Sequence, residues 1–131
     1  MDYSQINSAD ALVLMRMEVA GTLEIWAEES KENGKSSPRR PPRLFHIAFP
    51  GEIMALESLN ASYTREADAG TYSGTLLRTY KASPFLDYVR AETYAASTMK
   101  HPLHHFQLIT EEAIIDVVTI TPPQVDEVSL G

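Results

Sequence analysis

Three imidazoles fall within five residues in His101-Pro102-Leu103-His104-His105, and a lone carboxylate, Asp116, interrupts the apolar run from Ala113 to Ile120. Neutral imidazoles bind zinc, nickel or copper, and an imidazole beside a carboxylate can move protons, so these residue types suit metal or acid/base chemistry. Their spacing decides how far each reading goes. His104 to Thr110 and Ala113 to Ile120 are rich in β-branched and apolar residues and predict a hairpin about Glu111-Glu112. A two- or four-residue loop there sets Phe106 opposite Val117 and Leu108 opposite Ile115 on one face. The other face then pairs His105 with Val118, Gln107 with Asp116 and Ile109 with Ile114. A three-residue loop exchanges the two faces.

The first of these faces is apolar throughout and reads as core. On the second, His105 and Asp116 are the candidate catalytic acid/base pair, with Gln107 across the strand as a hydrogen-bond donor to the carboxylate. No nucleophile at fixed spacing completes a triad, so a polar patch on the solvent side of the sheet is the preferred reading over an active site. Ile109, Ile114, Val118 and Ile120 frame that patch. Four large aliphatic side chains seldom remain exposed, which makes Gln107, Ile109, Ile114 and Val118 an expected interface with a protein partner or a second copy. Adjacent strand residues point to opposite faces, which separates His104 from His105 as ligands; His46 with His104 and Asp116 is the alternative metal set, and ordinary hydrogen-bonded histidines are preferred.

The chain that must position these residues has 131 residues, 44% apolar and 22% charged, the size and balance of one globular domain. It contains no cysteine, which excludes disulfides, thiolate catalysis, Fe–S clusters and Cys-based zinc sites. It has no run of about 18 apolar residues and no secretory leader pattern at its start, so a soluble cytoplasmic protein without a membrane role is expected. With 18 acidic and 11 basic side chains the net charge is -7, which argues against a surface built for nucleic acid. The bases are concentrated. Lys31, Lys35, Arg39, Arg40 and Arg43 face a single Glu32, a local +4, leaving 6 bases and 17 acids, or -11, for the remainder. Residues 30–42 predict an exposed Pro-rich loop, solvated or, through Lys35, Arg39 and Arg40, a contact for an acidic partner. Gly70-Thr-Tyr-Ser-Gly74 lacks the setting and the Lys-Ser/Thr of a phosphate loop, so no cofactor is expected.

Val13, Met15, Met17, Val19, Leu23 and Ile25 alternate and predict one long strand bent or bulged at Gly21, although a helical stripe also runs through Leu12, Met15, Val19, Leu23 and Trp26. Leu44 to Phe49 is a second strand. Ile53, Leu56 and Leu59 have helical spacing, so 52–60 reads as a short helix, followed by a polar loop from Ala61 to Gly74 and a strand from Thr75 to Ala82. Ser83-Pro84 starts a helix running to about Ala96, because a serine can cap and a proline at the first position loses no bonded N–H. Pro122-Pro123 and Asp126-Glu127 mark a polar tail from 121. The expected fold is α+β, a single domain with a mainly antiparallel sheet of about five strands and two helices on one face. The function expected is non-catalytic interaction through the hairpin face, with an acid/base or metal enzyme at the histidines as the alternative.

Overall fold

The computed structural model describes residues 2–30, 41–61, 70–92 and 102–128. The basic positions Lys35, Arg39 and Arg40, the stretch expected to carry the second helix on to Ala96, and His101 lie outside them. The class is α+β and mainly antiparallel, in one small domain, but there are two sheets rather than one.

The first sheet has strand order β1-β2-β3-β9, made of β1 (Ala11–Ala20), β2 (Thr22–Ser30), β3 (Leu44–Phe49) and β9 (Gln124–Val128). The single long strand expected from 13 to 25 is a hairpin. Gly21 has φ 79, a conformation glycine adopts without strain, and the chain reverses there. The turn pairs Val19 with Leu23 and Met17 with Ile25. Odd residues therefore meet odd residues, and the alternation runs through the reversal without a break. The expected polar tail includes β9, which pairs Val125 with Ile47 and Asp126 with His46.

The second sheet has order β4-β8-β7-β6-β5, from β4 (Ile53–Asn60), β5 (Thr71–Ser73), β6 (Leu77–Ala82), β7 (His104–Ile109) and β8 (Ala113–Thr119). The helix expected at 52–60 is thus a strand. A register shift between Ile53 and Ala55 inserts one residue, so Ile53 and Leu56, three apart, both pack on the core. That spacing imitates a helix. The hairpin register is the one expected, with Phe106 opposite Val117, Leu108 opposite Ile115 and Gln107 opposite Asp116. Its turn is held by Thr110, whose Oγ1 donates to the Ala113 carbonyl at 2.8 Å and accepts its N–H at 2.9 Å.

The sheets pack face to face. Leu23, Ile25, Ala27, Phe45, Ile47 and Phe49 from the first meet Leu77, Phe106, Leu108, Ile115 and Val117 from the second, all buried. Phe49 and Phe106 touch edge to face across the interface, with centroids 6.0 Å apart. The short helix α1 (Ser4–Asn7) adds Ile6 at one end. Helix α2 (Pro84–Glu92) covers the other side of the second sheet, where Leu86 and Val89 pack with Leu103 and Val118. The central strands β7 and β8 of the second sheet are therefore covered on both faces.

Candidate functional site

The face of the second sheet beneath α2 carries two rows of side chains that cross its strands. One row is Arg78, Gln107, Asp116 and Glu57, each directly opposite the next; the other is Tyr80, His105, Val118 and Ala55. A pleated sheet puts both rows on the same side. Alternation in the sequence had placed His105, Gln107 and Asp116 together. The helix over them makes the site an interior one and corrects the expected solvent-side patch. His105 is 2% exposed, Gln107 1% and Asp116 0%.

Ser83 links this face to the helix. Its Oγ accepts the Leu86 N–H at 3.0 Å, the capping bond expected of a serine before Pro84, and lies 2.6 Å from His105 Nδ1. A carboxylate only accepts, so Nε2 donates to Asp116 Oδ1 at 2.7 Å, and in the neutral ring Nδ1 accepts the Ser83 hydroxyl. Gln107 Nε2 donates to the same oxygen at 3.0 Å, and the Tyr80 hydroxyl donates to Gln107 Oε1 at 3.1 Å. The imidazole stacks on Tyr80, centroids 4.5 Å apart, and meets Phe85 at 5.2 Å. Asp116 Oδ2 is buried and accepts no hydrogen bond from the described residues.

A hydroxyl, an imidazole and a carboxylate in that order are the components of nucleophilic acyl transfer. Ser83, Tyr80, Arg78 and Glu57 escaped the sequence reading, because the register of β4 and β6 against the hairpin could not be derived and Ser83 was explained as a cap alone. The geometry shows the limit of the comparison with a triad. Ser83 is 4% exposed and its Oγ already serves the helix. A hollow of about 290 Å³ lined by Gly70, Thr71, Ser83, Pro84 and Asp87 lies on its outer side. The chain of bonds from α2 through Ser83 and His105 to β8 fastens the helix to the sheet, and each donor in it is used.

The other histidines are elsewhere. His104 lies on the opposite face of β7 and lines a cavity of about 510 Å³ between the second sheet and the N-terminal segment that carries α1, with Tyr3, Asn7, Thr79, Phe106 and Pro122 among its walls. There the Tyr3 hydroxyl donates to the Pro123 carbonyl at 2.7 Å, and burial pushes the phenol up to about 12. His46 is on the outer face of the first sheet, bonded to Glu24 at 2.9 Å and stacked on Trp26 at 4.7 Å. His46, His104 and Asp116 thus belong to three different faces, and the described residues hold no group of three potential metal ligands.

The expected interface is also redistributed. Gln107 and Val118 are interior, and Ile109 and Ile114 are half-buried, so the hairpin does not present the four as a surface. The exposed apolar residues are on β1 instead. Met15, Met17 and Val19 are 55%, 36% and 61% exposed, three of the five large apolar side chains exposed among the described residues. Beside them a hollow of about 400 Å³ is lined by Met15, Arg16, Trp26, Glu28 and Leu44. Arg16 lies over the Trp26 ring at 5.2 Å. No helix among the described residues is long and apolar enough to cross a membrane. No family model, curated protein or solved structure matches the chain.

Proposed function

We propose that this protein is a small non-catalytic interaction module that takes an extended segment of protein along the free edge of β1. The observation that carries this reading is the exposure of Met15, Met17 and Val19 on a strand with a neighbour on one side only. A strand added to such an edge gains backbone hydrogen bonds, and thioether side chains adapt to varied partners. The reading needs no cofactor, keeps the cytoplasm as the expected compartment, and leaves nucleic acid aside on charge. A photoreactive residue replacing Val19 tests it in lysate of the source cell. Cross-links at 19 and none from the same residue replacing Glu52 are expected; silence at both positions would sink the idea.

A second reading, acyl transfer at Ser83, is favoured by the 2.6 Å contact with His105 beside the small hollow. It requires Oγ to leave the Leu86 N–H. A fluorophosphonate that modifies Ser83 in wild type and fails in His105→Gln would support it; an unmodified Ser83 would remove it.

A further inference from the structure

The upstream half of the free β1 edge is already occupied by the hairpin turn of the second sheet. The Glu111 N–H donates to the Leu12 carbonyl at 2.8 Å, and the Leu14 N–H donates to the Glu112 carboxylate at 3.1 and 3.2 Å. A register shift between Leu14 and Arg16 follows, a device that spoils pairing at an edge. From Arg16 to Ala20 the strand is regular, and among the described residues its outer side meets no other strand. This is a short segment with its own pattern. Arg16 and Glu18 share the outer face and form an ion pair with each other, while Met17 and Val19 share the face of Ile25 and Leu23.

Resting on the reading above, we propose that the segment added to β1 is β1 of a second copy, antiparallel and centred on Met17. That register sets Arg16 of each chain opposite Glu18 of the other, twice, so the ion pair within one chain is exchanged for two between chains. Met17 of each chain then lies opposite Met17 of the other. Neighbouring registers that keep the faces aligned fail on charge. Centring on Glu18 puts two carboxylates directly opposite, and centring on Arg16 puts two guanidiniums opposite while driving Leu14, whose N–H is taken by Glu112, into the pairing. Two-fold symmetry makes the contact self-limiting, with the two first sheets joined into one. Only the five or so residues from Met15 to Val19 take part, so the contact lies at the small end of stable interfaces and forms at about micromolar concentration or above.

The chain has no cysteine, so single cysteines report position without background. Directly opposite residues in an antiparallel pair have Cα atoms about 4.5 to 5.5 Å apart, within disulfide reach. Under mild oxidation Met17→Cys should give a covalent dimer at least about tenfold faster than Val19→Cys alone, whose two sulfurs the register holds roughly 13 Å apart. Mixing Arg16→Cys with Glu18→Cys, which this register sets directly opposite each other, should also cross-link fast. Arg16→Glu alone and Glu18→Arg alone should each sediment as monomers, and their mixture should form the heterodimer. Equal oxidation rates at 17 and 19, or no association in the charge mixture, overturns the register. The four substituted positions, 16 to 19, are exposed or, at Glu18, half-buried, and unchanged far-ultraviolet dichroism confirms folding. A photo-cross-link from 19 to a different protein, with no self-cross-link, overturns self-pairing and keeps the β1 reading; no cross-link of any kind overturns both.

Discussion

Arg43 grips Glu29 with two nitrogens, Nε at 3.2 Å from Oε1 and Nη2 at 2.8 Å from Oε2, and both side chains are buried. Arg43 is the last base of the run that gave 30–43 its positive charge. It is spent inside the fold: its other donors reach the Gln5 carbonyl and the Ser8 hydroxyl, and its carbonyl accepts the Glu29 N–H at 2.7 Å. Residues 29 and 43 are thus fastened where β2 ends and β3 begins, together with α1. Arg43→Ala should cost ~3–5 kcal/mol, because a buried carboxylate loses its counter-ion. Replacing both as Arg43→Met and Glu29→Leu should cost much less. Chemical denaturation of the two variants gives the comparison.

His105 should prove as important to stability as the core phenylalanine beside it. Phe106→Ala is expected to cost ~3–5 kcal/mol through the lost packing between sheets. His105→Ala removes a stacked ring, leaves the Ser83 hydroxyl without that partner and takes one of the two donors from Asp116 Oδ1, for a loss of ~3–4 kcal/mol. The sequence alone, with His105 on a solvated face, predicts a far smaller cost for it. Urea midpoints of the two variants distinguish a covered face from a solvated one.

Gly74 has φ 94, and a Cβ there would sit 2.3 Å from the Leu77 carbonyl and 3.0 Å from Asn7 Nδ2. The backbone at 75–77 is held by Asn7, whose Oδ1 accepts the N–H of Thr75, Leu76 and Leu77 at 3.2, 2.8 and 2.8 Å. Neither side can move independently. Gly74→Ala should therefore cost ~2–4 kcal/mol, more than the ~1 kcal/mol typical of an unfavourable φ alone. Gly21→Ala, with open space around its Cβ, should show only the smaller effect in thermal melts.

Tyr3 gives a signed pH dependence. Its phenol is pushed up to about 12 from 10.0 by burial, so the folded protein holds the proton where the unfolded chain releases it. The stability attached to that proton is fully present below about pH 10 and is lost as pH rises through about 12. Between about pH 10 and 12 the wild type should lose stability more steeply than Tyr3→Phe. Parallel slopes in urea titrations at several pH values would exclude Tyr3 as the cause.

The hairpin was legible because a two-residue turn between alternating runs fixes every pair in it, from His104 to Thr119. Its partners were not. Register between segments far apart in sequence leaves no local signature, so Tyr80, Arg78 and Glu57 could not be assigned to His105, Gln107 and Asp116. Ser83 was identified as a cap, which it is, while its second bond depends on where α2 settles. The β4 error came from reading a bulge as helical spacing, and the β1–β2 error from a turn that preserves alternation. A second sheet layer was missed for the same reason: apolar strands belonging to opposite layers look alike in sequence.

The path of the chain through the two layers also constrains the order of folding. Every strand of the second sheet comes from one contiguous stretch, β4 to β8, whereas β9 reaches β3 only after that whole stretch and α2 have intervened. During synthesis the β1–β2–β3 meander emerges first, with Leu23, Ile25, Phe45 and Ile47 and no opposing layer to cover them. At roughly 5–20 residues per second this sticky intermediate persists for several seconds before β8 is complete. The distant pairing of β9 is the step with the largest loop to close, so strand β3 keeps a raw edge longest. Cellular yield should accordingly depend on chaperone supply more than the equilibrium stability of the finished fold suggests.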